Sequence, residues 1–130
     1  MNTAIGDFSA PYLVTDADTA TALGSGDVHV LATPRLIAWL EAETVRVAAP
    51  HLAAGQTSVG TGVRIRHRRP TPVGGQVGVV ATLTDLPAGA RLSFEVTATD
   101  GTGAVIADGT IDRVIVDRAA FSAAAGLAGR

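Results

Sequence analysis

A hydroxyl, a carboxylate and an imidazole are common ingredients of hydrolytic sites, and Thr33, Glu41 and His67 offer one of each in telling contexts. His67 closes an alternating run, 57–69. Its odd positions read Val59, Thr61, Val63, Ile65 and His67, and its even positions carry Arg64, Arg66 and Arg68. Alternation predicts a strand with His67 on the apolar face, pointing inward just before a Pro/Gly turn. The plainer reading is a core histidine satisfied by a backbone carbonyl. Glu41 has Ile37, Ala38, Thr44 and Val45 as its helical neighbours, none of them charged, whereas Glu43 has Arg46 three residues on as a surface partner. A carboxylate among apolar groups has its charge disfavoured and its pKa raised, as a general acid or base requires. Its alternative is a helix-edge side chain reaching water. Thr33 precedes Pro34 and reads as a helix N-cap, with proline at the first helical position. Capping alone would account for it. The helix macrodipole also favours a developing oxyanion there, and because Pro34 has no N–H, the donors would come from Arg35 or Leu36.

Around these three lie supporting candidates. Arg64, Arg66, Arg68 and Arg69 form a basic stripe, either a solvated face or a phosphate-binding surface. Gly60 and Gly62 open the same strand for a ligand or a close neighbour. Other chemistries are excluded by residue type. The chain has no cysteine, so no thiolate nucleophile, cysteine zinc site or disulfide, which fits a reducing compartment. All ten basic residues are arginine, which removes Schiff-base catalysis. No GxSxG, HExxH or phosphate-cradling glycine loop occurs, and His29, His51 and His67 fall at no metal-binding spacing. Neither a metal nor an organic cofactor is expected.

The elements that position these groups are legible from periodicity. Ser9 to Thr15 reads as a short strand, and 16–30 as a loop with at most a helical turn. Arg35 to Ala49 contains no glycine or proline, and Pro50 ends it. Leu36, Ile37, Leu40, Val45 and Val47 cover more than one stripe, predicting a deeply buried helix. After the histidine strand, Pro70, Pro72, Gly74 and Gly75 make a turn. Val77, Val79, Ala81 and Leu83 share one face of a second strand, and Leu86-Pro87-Ala88-Gly89 turns the chain. Leu92, Phe94, Val96 and Ala98 line a third strand, with Asp100-Gly101-Thr102-Gly103 as a hairpin turn. A fourth strand runs from Ala104 to Val116 with Gly109 as its expected bulge, and an alanine-rich tail forms a short helix. Four successive strands joined by hairpins and one long helix predict an α+β domain, a curved antiparallel sheet wrapped around a central helix. Such a sheet has two edges and one helix to cover it, so a homodimer, with or without further pairing, is expected.

The totals agree with one domain over residues 1–130. At 130 residues and 47% hydrophobic the chain can bury a core without a metal or disulfide staple. A net charge of −2 offers no basis for binding nucleic acid or an anionic membrane. With no signal peptide or spanning segment read, a soluble cytoplasmic protein is the expectation.

VLATPRLIAWLEAETVRVAAPHL at 30–52, then SVGTGVRIRH and TPVGG, resembles the fluoroacetyl-CoA thioesterase-like branch of hotdog proteins over most of the length. The resemblance implies a hotdog fold and hydrolysis of an acyl-CoA thioester, coenzyme A being part of the substrate. It places the family's hydroxyl, glutamate and histidine on Thr33, Glu41 and His67. It also implies a homodimer with the thioester near the subunit interface, and matches Gly60 and Gly74 to glycines lining that region. Arg68 is expected to meet coenzyme A phosphate, and Arg35, at the pocket mouth, to favour a polar or carboxylated acyl group. Two departures separate the chain from the fluoroacetyl enzyme. Pro34-Arg35 replaces a glycine and a bulky apolar residue, and ALGSGDVHVLA lacks the phenylalanines of its apolar lid. Shared chemistry with a different acyl preference is therefore expected. The rival readings are a hotdog hydratase, whose Asp/His pair is not found here, and a non-catalytic acyl-CoA-binding or metabolite-binding dimer.

Overall fold

In the computed structural model, residues 10–84 and 89–127 are described. Ser9 of the expected first strand and Leu86-Pro87-Ala88 of the expected turn lie outside them. The elements are β1 (Tyr12–Leu13), α1 (Ala20–Leu23), α2 (Thr33–Ala48), β2 (Gln56–His67), β3 (Gln76–Leu83), β4 (Arg91–Asp100), β5 (Val105–Asp117) and α3 (Arg118–Ala124). The five strands form one antiparallel sheet in the order β1-β3-β4-β5-β2. It curls around α2, the single long helix. Leu36 and Leu40 of α2 meet Val77, Val79, Leu92, Phe94, Val96, Ile106 and Ile111 of the sheet in one buried cluster. Each fully buried aliphatic or aromatic side chain contributes roughly 1.5–3 kcal/mol.

The strand order corrects one expectation. β3, β4 and β5 follow one another by hairpins, but β2 pairs with β5 and lies at the far edge from β3. Residues 68–75 therefore carry the chain across the end of the sheet. Two intervening strands put β2 and β3 about 14 Å apart, well within the reach of eight extended residues. Pro70 and Pro72 remove the N–H donors that a tight hairpin would need. The connector is held instead by the segment before α2, where the Leu31 N–H donates to the Thr71 carbonyl at 2.8 Å.

The helix is buried on one face only. Leu36, Leu40, Glu43, Thr44 and Ala48 face the sheet, while Ala38, Ala42 and Val45 are exposed, so the helix is less deeply buried than expected. β2 carries an irregularity with direct consequence for the site. Gly60 pairs with Arg113 and Gly62 with Asp112, so Thr61 is an extra residue that reverses the alternation. Opposed residues share a face, which puts Ser58, Gly60, Val63, Ile65 and His67 on the concave side with Ile115, Arg113, Ile111, Gly109 and Ala107. Val59 faces away, which corrects its placement beside His67. Without the bulge Gly60 and His67, seven residues apart, would fall on opposite faces.

Gly109 is not the bulge of β5. It is regularly paired with Ile65 and with Val96, and the extra residue is Ile106, opposite the shift between Ala98 and Thr99. Glycine is needed there for another reason, because a Cβ would run into the Arg64 carbonyl. Gly109→Ala should therefore lower stability by about 2 kcal/mol or more, read as a fall in the denaturation midpoint.

Candidate active site

Thr33 is the first helical residue, and Ala32, which has no capping side chain, takes the N-cap position. This shift of one residue changes what the threonine hydroxyl does. It caps nothing and lies 2.7 Å from His67 Nδ1. The leading turn supplies backbone donors beside it. The Leu36 N–H is taken by the Ala32 carbonyl at 3.0 Å, and Pro34 has none, leaving the Thr33 and Arg35 N–H groups of the first turn.

His67 is the last residue of β2, half-buried against the helix start. Burial pushes its pKa below the ordinary histidine value, and the Arg69 backbone offsets this only in part. A ring held neutral can accept the Thr33 proton at Nδ1, which leaves Nε2 carrying the ring hydrogen. Nε2 is buried and makes no hydrogen bond among the described residues. A cavity of about 300 Å³ opens beside the pair, lined by Thr33, His67, Arg68 and Arg69 together with Ala20, Ser25 and Val30.

Glu41 is not with them. Eight residues further along α2, it lies about 12 Å up the helix axis from Thr33. Among the described residues no hydrogen bond or ion pair joins it to Thr33 or His67. Its carboxylate instead faces Gly60, where an added Cβ would stand 2.7 Å from Oε2. Its side chain is 39% exposed, and Oε2 lies 3.9 Å from Arg113 Nη1. The desolvated acid of the helix is Glu43, 5% exposed and ion-paired with Arg46. Expectation had these two acids the other way round. Glu43 falls seven residues after Leu36, in phase with the buried stripe, and that phase was readable in the sequence.

The remaining candidates separate. Gly60 lies against Glu41, whereas Gly74 lines a different groove with Pro70, Thr71 and Asp100. Arg68 lines the cavity beside His67, but its guanidinium is held by both oxygens of Asp108 at 3.0 and 3.1 Å. Arg35 turns to the Asp16–Asp18 turn, its Nε 3.0 Å from Asp18 Oδ1. It is not among the residues lining the cavity beside His67. Arg113, buried on β5, was not anticipated, because the fourth strand was read without assigning its inward and outward faces. No group of three or more side chains able to hold a metal ion occurs among the described residues.

Comparison with known proteins agrees with this architecture. The profile of the fluoroacetyl-CoA-specific thioesterase family matches residues 14–119. The fluoroacetyl-CoA thioesterase of Streptantibioticus cattleyicolor is 37% identical over 95 residues, 73% of this chain and 67% of that protein. A solved structure of a fluoroacetyl-CoA thioesterase superposes with a TM-score of 0.82 at 30% identity, over 93% of each chain. A thioesterase superfamily member from Thermus thermophilus superposes equally well, at 0.82 and 28% identity, over 90% of this chain and 85% of its own. The chain has the hotdog fold and belongs to the fluoroacetyl-CoA-specific thioesterase family.

Proposed function

We propose that this protein hydrolyses a small acyl-CoA thioester to the free acid and coenzyme A, using Thr33, His67 and Glu41. The observation that carries the reading is the 2.7 Å contact between the Thr33 hydroxyl and a ring whose burial keeps it neutral. His67 takes the hydroxyl proton as Thr33 Oγ1 attacks the thioester carbonyl carbon. The Arg35 N–H at the helix start supports the oxyanion. The C–S bond then breaks, and the departing thiolate takes the proton from the imidazolium. Water adds to the acyl-threonine ester while the Glu41 carboxylate takes its proton. The same proton returns to the Thr33 oxygen as the acid leaves.

The separation between Glu41 and the Thr33–His67 pair motivates the second half of the reading, a site completed across a homodimer. Two surfaces support it. β2 is a twelve-residue edge strand, and α2 leaves Ala38, Ala42 and Val45 exposed along one line. In an isologous dimer each Glu41 would serve the Thr33–His67 pair of the other chain. The segment 22–32 before α2 carries no phenylalanine, which supports an acyl group other than fluoroacetyl. We place the reaction in the cytoplasm, in keeping with a chain that has no cysteine. No helix among the described residues is long and apolar enough to cross a membrane.

Free-thiol release from acetyl-, fluoroacetyl-, isobutyryl-, benzoyl- and succinyl-CoA tests the reading. Sustained release from at least one is expected. Calorimetric binding without release from any would instead favour a non-catalytic acyl-CoA-binding dimer.

A further inference from the structure

We propose that the cavity beside Thr33 and His67 selects a short acyl group ending in a carboxylate, with Arg69 as the residue that holds its charge. The inference rests on the reading of Thr33 and His67 as the reacting pair and goes beyond it to the substrate class. At about 300 Å³ the cavity stands at the small end of ligand sites. Its wall is cationic. Arg68 and Arg69 both line it, beside the hydroxyl residues Ser25 and Thr33, and no acidic residue does. A cleft of one sign of charge favours a ligand of the other.

The two arginines are not equivalent. Both oxygens of Asp108 hold the Arg68 guanidinium, at 3.0 and 3.1 Å. Among the described residues the Arg69 side chain makes no hydrogen bond and no ion pair. Asp100, whose pKa is lowered chiefly by the Thr102 side chain, feels the Arg69 charge as the weakest of its influences. The Arg69 backbone is nonetheless fixed. The N–H groups of Arg68 and Arg69 both donate to the Ile106 carbonyl, at 2.7 and 3.2 Å, and Pro70 disfavours helical backbone at Arg69. Arg69 follows His67 by two residues, so their Cα atoms lie within about 7 Å. A carboxylate a few carbons beyond a thioester carbonyl at Thr33 Oγ1 therefore comes within reach of the guanidinium, which can grip both its oxygens. The phosphates of coenzyme A stand a whole pantetheine arm away, on the other side of that carbonyl. Arg35, by contrast, is engaged by Asp18.

Thioesters of pantetheine, which lack the nucleotide phosphates, isolate the acyl end. The native enzyme should show a kcat/KM for succinyl-pantetheine at least about tenfold above that for butyryl-pantetheine, its uncharged analogue. Arg69→Gln should bring that ratio close to one, mainly through KM, and Arg69→Lys should restore part of it. Added salt should shrink the native ratio, because Arg69 is exposed. A native ratio at or below one overturns the proposal, whether or not the variants fold. So does a ratio that Arg69→Gln leaves unchanged. A loss in Arg69→Gln seen with both coenzyme A thioesters and neither pantetheine thioester would assign Arg69 to the phosphates, and overturns it too. Should no thioester be hydrolysed at all, the reaction proposed for Thr33 and His67 fails, and calorimetry with the same two pantetheine thioesters decides the selection. Tighter binding of the succinyl compound, weakened by Arg69→Gln, upholds it; equal binding of the two overturns it.

Discussion

Replacing His67 with glutamine should lower kcat for thiol release about a thousandfold, with the melting midpoint little changed, because the amide fills similar space but cannot carry a proton. The ring is poised for this task by its surroundings. Its Nδ1 already holds the Thr33 hydroxyl at 2.7 Å, and burial destabilises its charged form. The sign of the pH dependence follows. The active ring is neutral, so activity is lost on the acid side as His67 gains a proton. Because burial lowers its pKa, the acid limb of kcat/KM should lie below pH 6.5, the ordinary histidine value. An acid limb well above that value would mean that burial does not control the ring. Circular dichroism on the same samples separates loss of chemistry from loss of fold.

Gly60→Ala should be nearly as damaging, about a hundredfold in kcat, although it adds a single methyl group. That carbon would stand 2.7 Å from Glu41 Oε2, too close for any unstrained contact, and the far end of a flexible side chain is what must yield. The protein should therefore stay folded while the carboxylate swings away from its place beside Arg113. Thermal denaturation and thiol release measured together check this. A collapse of stability with normal turnover in the surviving fraction would show that Gly60 serves packing alone.

Both predictions depend on features that sequence pattern conveys unevenly. The inward residues of β3 and β4 were legible, because Val77, Val79 and Ala81 and Leu92, Phe94, Val96 and Ala98 alternate cleanly and are all buried. The long helix was legible from its proline stops, and α3 from its composition. Strand order was not, since a connector with two prolines looks like a turn whether the chain doubles back or crosses a sheet. The bulge at Thr61 was equally silent. A bulge shows in pairing rather than in residue type, yet it moves Gly60 to the face of His67 and turns Val59 outward. Arg113 was hidden for a related reason, as its partners Ser58 and Glu41 are 55 and 72 residues away along the chain. Glu41 and Glu43 show a readable signal weighed wrongly. Charge partners suggested that Glu43 was exposed, whereas helical phase, set by Leu36 and Leu40, buries it.

Thr33 is the most instructive of the three candidate groups. Its neighbours predicted a cap, and a cap would have bound its hydroxyl to the helix backbone. With Ala32 as the N-cap, the hydroxyl is free to meet an imidazole brought in by a distant strand. One position along the helix thus separates a structural hydroxyl from a reactive one.

The most direct measurement mixes two inactive variants, His67→Gln and Glu41→Gln, under conditions that let dimers exchange subunits. If each cleft draws Thr33 and His67 from one chain and Glu41 from the other, half the dimers become mixed and each regains one intact cleft. Thiol release should then recover to about a quarter of the native rate. Recovery of nothing, with subunit exchange verified by mass, would contradict a hydrolytic site shared between two copies.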